Sequence, residues 1–188
     1  FSLHPEAPAF PFFHEKGTIL WDNIESYLKE LYSKAGYIFV KTPLIMDNKL
    51  WQQSGHWDHY REHMYFTKVD ARDFAVKPMN CPGHILLYRQ QLHSYRELPL
   101  RLAEFGAVYR HEDSGTLMGM MRVRGHTTND AHLYCKEEDV IQELVNVLEI
   151  HKYYYKLFGI KDYYVELALP DFIKKKDKYF DDPEAWKT

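Results

Sequence analysis

Between Thr18 and Ala35, apolar residues fall at Leu20, Ile24, Leu28, Leu31 and Ala35, close to the i, i+4, i+7 spacing of an amphipathic helix. Gly36 follows as a stop, because only glycine takes the left-handed cap conformation without penalty. Tyr37 to Lys41 reads as a strand that Pro43 ends, since proline has no N–H to offer a ladder. A short helix is predicted from Asp47, a good N-cap, to Ser54, ahead of Gly55. Two strands, Met64 to Thr67 and Phe74 to Lys77, join through Asp70. Asn80 is placed to cap another helix, with Pro82 in its first turn, that runs to about His93. Leu100 to Glu112 and Arg122 to Tyr134 read as long strands around a loop from Asp113 to Met121. A helix from Glu137 to Phe158 has an acidic first turn that suits its dipole, and Gly159 as a cap. Tyr163 to Leu169 reads as one more strand, and the Lys-rich tail after Pro170 as surface. Strands joined by hairpins, with helices set apart from them, predict an α+β domain: an antiparallel sheet flanked by helices.

Side-chain parity sorts the second long strand into two kinds of residue. Its even positions are Arg122, Arg124, His126, Thr128, Asp130 and His132, all polar or ionisable. Its odd positions are mostly small or apolar. On the preceding strand Glu104, Arg110 and Glu112 share a parity, while Phe105, Ala107 and Tyr109 take the other face. Paired as a hairpin, the two strands put three Arg, two Glu, two His, a Thr and an Asp on one face. Polar alternation usually marks a solvated outer face. Arg and His, in place of the usual Lys, Glu and Thr, point instead to the floor of a site for a phosphorylated nucleotide, because guanidinium forks match phosphate oxygens. Both readings stay open at this level.

At 188 residues and 45% hydrophobic, the chain can bury the core of one ordinary domain, and 16% aromatic content argues against disorder. A formal net charge of −3 lacks the basic footprint of a nucleic-acid binder, so contacts to RNA would come from local clusters or another domain. Cys81 and Cys135 are far apart and form no CxxC pair, which argues against a disulfide framework and points to a reducing, cytoplasmic compartment. No stretch has the length of a membrane span, and no signal-peptide pattern opens the chain. The chain opens on Phe1 without an initiator Met and stops at Trp186-Lys187-Thr188, which reads as ongoing structure, so it is expected to be a piece of a longer protein. Neither G-x-G-x-x-G nor a P-loop is present, so any ATP chemistry must use groups other than a glycine cradle.

The run Arg110-His111-Glu112, a loop, then Met121-Arg122-Val123-Arg124-Gly125 resembles motif 2 of class II aminoacyl-tRNA synthetases. The first helix with Gly36-Tyr37 and Val40-Lys41-Thr42-Pro43 resembles motif 1. Lys77-Pro78-Met79-Asn80-Cys81-Pro82-Gly83-His84, Gly55-His56-Trp57-Asp58 and Asn129-Asp130-Ala131-His132 are similar to phrases of the threonyl-tRNA synthetases. Each is weak alone, but the set recurs in the family's order over nearly the whole chain. The resemblance implies that residues 1–188 are the N-terminal part of a class II catalytic core. Motif 3, the editing domain and the anticodon-binding domain would lie outside it.

The resemblance also implies residue roles. Arg110 would be catalytic, holding the α-phosphate of ATP as threonine's carboxylate attacks in line. Glu112 would meet the adenine end, Arg122 the nucleotide, and His126 would stack on adenine. Asp130 and Met79 would line the threonine site. Cys81 and His132 would be two of three ligands to one zinc ion, the third lying beyond Thr188, and Mg2+ would accompany ATP. His56 matches a histidine implicated in transfer to the tRNA ribose. The implied partners are ATP, L-threonine and tRNA(Thr), and the implied assembly is a homodimer about the motif 1 helix. A zinc site with open positions would select for threonine's hydroxyl, which valine lacks. His84 and His111 are read as hydrogen-bonded structural histidines. His126 and Thr128 replace the family's usual Phe and Gln. Those two residues favour the alternative of a synthetase-like protein that binds RNA or a partner without catalysis, which intact Arg110, Glu112, Cys81 and His132 oppose; a seryl- or prolyl-type enzyme is disfavoured by Cys81 and His132.

Overall fold

Gly36, at φ +81°, turns the chain out of helix α1 (Glu15–Lys34) directly into strand β3 (Tyr37–Phe39). The computed structural model describes residues 1–55, 57 and 60–169 and divides into two units, Phe1–Tyr134 and Cys135–Thr188. Ahead of α1 lies a hairpin the apolar pattern did not signal, β1 (Ser2–His4) and β2 (Ala7–Phe12). Its Phe10 ring lies 6.0 Å from Tyr109 and 6.2 Å from Tyr65.

Two three-stranded sheets hold the other described strands of the first unit. In one, β4 (Ile45–Asp47), β6 (Arg72–Val76) and β5 (Phe66–Val69) pair antiparallel in the order β4-β6-β5. Asp70 and Ala71 both take positive φ, as the two-residue turn between β5 and β6 requires. Helix α2 (Asn48–Gln53) starts where Asp47 accepts a hydrogen bond from the Lys49 N–H (2.9 Å). The core here is Met46, Trp51, Met64 and Ala75, with Leu50, Tyr60 and Met79 packed against it.

The fold is α+β as expected, and the other sheet, β3-β7-β8, adds one parallel strand to the expected antiparallel pairing. Strand β7 (Leu100–Tyr109) pairs antiparallel with β8 (Gly125–Tyr134), but β3 lies parallel to β7, Tyr37 opposite Arg101. A parallel neighbour needs a long crossover, and residues 40–99, which hold the whole second sheet and helix α3 (Cys81–Arg89), supply it. Helix α3 stops at Arg89, short of His93. Both long strands are also shorter than predicted, so Arg110, Arg122 and Arg124 lie just beyond their ends. Pairing still carries one step further, where the Arg110 N–H donates to the Arg124 carbonyl (2.8 Å).

In the second unit, a 3-10 turn at Glu137–Asp139 leads into α4 (Val140–Leu157), and Gly159 follows at φ +70°. Residues 163–169 are not the predicted strand. They have no partner strand among the described residues, and an extended segment without a ladder is not a sheet.

Candidate active site and metal centre

The register of β7 and β8 decides the parity question. Leu102, Glu104, Gly106 and Val108 lie opposite His132, Asp130, Thr128 and His126, so the even positions of both strands share one face. That face is covered over much of its length. Leu102, Glu104, Gly106 and Val108 are all buried, and Glu104 is only 3% exposed. Two glycines make the close cover possible. A Cβ at Gly106 would sit 2.2 Å from Asn80 Oδ1, and one at Gly83 would sit 2.8 Å from Thr42 Cγ2. Asn80 makes no side-chain cap for α3. Its side chain crosses to the sheet instead, where Nδ2 donates to Asp130 Oδ2 (3.2 Å).

At this contact Cys81, from the first turn of α3, meets Asp130 and His132 of β8. One ligand atom from each lies within 4.8 Å of the others. Thiolate, imidazole and carboxylate are the donor types that zinc takes, and the grouping fits such an ion. Asp130, expected only beside the substrate, is therefore near enough to count as a third donor within the chain. Burial pushes the Cys81 thiol up, and Asp130 adds to this, against its own amide and Arg110. Burial lowers the His132 imidazole; Asp130 opposes this and His84 reinforces it. The neutral ring that results is the form that ligates metals.

Behind the cluster runs a buried network that the sequence did not disclose. His84 is fully buried, with Nδ1 3.0 Å from His132 Nδ1 and Nε2 3.0 Å from Glu104 Oε2. Glu104 also accepts from Thr42, at Oε1 from the backbone N–H (2.8 Å) and at Oε2 from the hydroxyl (2.9 Å). Lys77, 2% exposed, donates to Glu104 Oε1 (3.2 Å) and Thr42 Oγ1 (2.8 Å). Burial alone would raise the Glu104 carboxyl. The hydrogen bonds from His84, Thr42 and Lys77 outweigh it and hold the group at about 2. One signal was available in sequence: His84 follows Cys81 by three residues, the spacing that puts both on one helix face.

Just beyond the strand ends, past His126, are the arginines. Arg110 Nε donates to the Pro78 carbonyl (3.0 Å), and its guanidinium carbon lies 6.0 Å from the centre of the Tyr60 ring. Arg122 places Nε and Nη2 on the same Glu112 oxygen (3.0 and 2.9 Å), and Arg124 Nε donates to the Glu112 carbonyl (2.9 Å). His126 remains exposed as a residue. Partial burial of its ring, and then Arg110, hold the imidazole below its ordinary value, against Glu112. Met79 packs against the core of the neighbouring sheet, while His56 lies outside the described residues.

Residues 65–186 match the family model of the tRNA synthetase class II core domain (G, H, P, S and T). The chain belongs to this family. Within it, this class II core is homologous to threonine–tRNA ligases. It is 55% identical over 168 residues to that of Clostridium botulinum (strain Loch Maree / Type A3), covering 89% of this chain and 26% of the relative. The class II core thus spans about a quarter of the length of the curated relatives it matches. Among solved structures it superposes on the RNA binding domain of threonyl-tRNA synthetase from Cryptosporidium parvum Iowa II. The TM-score is 0.81 at 34% identity, over 85% of this chain and 40% of that one. Prolyl-tRNA synthetase of Giardia lamblia shares the fold, with a TM-score of 0.69 at 20% identity over 78% of this chain and 31% of that one.

Proposed function

We propose that this class II core works as part of a larger threonine–tRNA ligase. Threonine's carboxylate attacks the α-phosphorus of ATP, pyrophosphate leaves, and threonyl-adenylate forms. The 3′-terminal ribose hydroxyl of tRNA(Thr) then takes the threonyl group and AMP leaves. The observation that carries this is the Cys81, Asp130 and His132 cluster, where Cys81 of α3 meets the β8 face that His126 shares, in a chain homologous to threonine–tRNA ligases.

In this scheme Arg110 stabilises charge on the α-phosphate, held in place through its bond to the Pro78 carbonyl. Arg122 and Glu112, paired with each other, would exchange that contact for phosphate and adenine, and His126 would present a neutral ring to the base. Cys81 and His132 would hold one zinc ion, with Asp130 turned to the metal or to threonine's amine. The zinc would bind threonine's amine and hydroxyl, so that an isostere without the hydroxyl is refused. Mg2+ would enter with ATP. Exposed Ile19, Leu20 and Tyr27 on α1, with Ile38 on β3, support a homodimer through this surface.

The test is amino-acid-dependent ATP–pyrophosphate exchange by the full-length protein, with zinc quantified per subunit. Threonine-dependent exchange that is lost with the metal is expected. Exchange that survives in metal-free protein would remove the zinc mechanism. Absence of exchange with any amino acid would favour a synthetase-like binding protein.

A further inference from the structure

The cluster is backed by a chain of groups whose donor and acceptor roles follow one from another, and its far end is an ion pair. Glu104 Oε1 receives the Thr42 N–H and the Lys77 ammonium, and Oε2 receives the Thr42 hydroxyl and faces His84 Nε2 at 3.0 Å. A carboxylate in this setting can only accept, so the proton shared with His84 sits on His84 Nε2. In a neutral imidazole the other nitrogen is then an acceptor. That nitrogen, His84 Nδ1, lies 3.0 Å from His132 Nδ1, so with His84 neutral the His132 ring supplies the proton between them. His132 therefore carries its hydrogen on Nδ1 and keeps the lone pair on Nε2.

We propose that His84 and Glu104 are positioning residues that set the tautomer and orientation of His132, so that its Nε2 faces the metal cluster as a ready ligand. This rests on the zinc site proposed above. Ligating histidines generally give their second ring N–H to a carboxylate or carbonyl. Here a second imidazole stands between, and passes the polarity of Glu104 through about the length of one ring. The arrangement explains why a histidine is fully buried in the first turns of α3 and why the carboxylate beneath it is ionised: each is the partner the other requires.

Glu104→Gln makes the sharpest test, because the donors at Oε1 pin the amide oxygen there and turn the NH2 toward His84 Nε2. Every role along the chain then reverses, and His132 is left with its hydrogen on Nε2. Two substitutions at His84 complete the set. His84→Leu removes the link, whereas His84→Asn puts an amide oxygen near the place of Nδ1, where it can still accept from His132. Zinc affinity of the full-length proteins, by competition with a chromophoric chelator, is expected to fall roughly 10- to 100-fold in E104Q and H84L. H84N should recover most of that loss.

Since E104Q also strips Lys77 of its counter-charge, the wild type is measured as well. Neutron diffraction from crystals of the deuterated, metal-free, full-length protein should show deuterium on His84 Nε2 and His132 Nδ1. Deuterium on His84 Nδ1, or wild-type zinc affinity in both E104Q and H84L, would overturn the proposal. A wild-type protein that takes up no zinc would remove the metal site itself, and the neutron map alone would then decide the relay.

Discussion

Glu104 on β7 lies directly opposite Asp130 on β8, two carboxylates in register on the same covered face. Like charges so placed destabilise a strand pair, and the fold offsets this by giving each its own donors. Glu104 takes Thr42, Lys77 and His84, whereas Asp130 takes Asn80. Several consequences of this division can be measured.

The first concerns acid stability. The Glu104 carboxyl sits at about 2 in the fold against an ordinary 4.5. Its stabilisation is therefore complete above about pH 4.5 and disappears as pH falls from there toward 2, on the order of 3 kcal/mol in all. Urea unfolding between pH 2 and 6 should show that loss in the wild type, and a much flatter slope over the same window in E104Q.

Lys77 is the buried counter-charge. Lys77→Met removes it while Glu104 remains ionised, which should cost about 3–5 kcal/mol. Denaturation midpoints at pH 7 check this. A cost below about 1 kcal/mol would mean that Thr42 and His84 suffice for the carboxylate.

Gly106 is tested against Gly115. A methyl group added at Gly106 would meet Asn80 at 2.2 Å, whereas nothing lies within 4 Å at Gly115. Gly106→Ala should therefore destabilise by about 1–3 kcal/mol and also weaken threonine-dependent exchange, since the displaced Asn80 is the donor to Asp130. Gly115→Ala should stay within about 0.5 kcal/mol of wild type.

Arg110 and Arg122 should separate activity from stability. The Arg122–Glu112 pair is half exposed on its arginine side, so Arg122→Ala is expected to change stability by no more than about 1 kcal/mol while raising the KM for ATP. Arg110→Ala should reduce the exchange rate by roughly 100- to 1,000-fold.

The His126 imidazole, held below its ordinary value, should be neutral at and above pH 7 and gain charge only as pH falls below its ordinary 6.5. The KM for ATP is therefore expected to be flat between pH 7 and 8 and to change at lower pH. His126→Phe should remove that change and leave the neutral-pH value similar or lower.

Much of the architecture could be read without coordinates, because it is local. The stripe from Ile24 to Leu31 with Gly36, the Asp47 cap and the Asp70 turn each depend on residues a few positions apart, and α1, α2 and the β5–β6 hairpin follow them. The polar face of β7 and β8 was legible for the same reason, since parity is a property of one strand and the hairpin register carried it across. The strand predicted at residues 163–169 failed because a strand exists only with a partner, and no local pattern names one.

By itself, then, the sequence determined which side chains within β7 and β8 share a face and, through its motifs, which family the chain belongs to. Only the tertiary structure decided that the face is covered, that β3 joins the sheet parallel, and that Asp130 stands with Cys81 and His132. It alone brought His84, Lys77 and Thr42 onto Glu104. These contacts join residues 20 to 62 positions apart. What makes them possible is the close approach at Gly83 and Gly106, which depends on how α3 settles against the sheet and leaves no trace in the spacing of the residues.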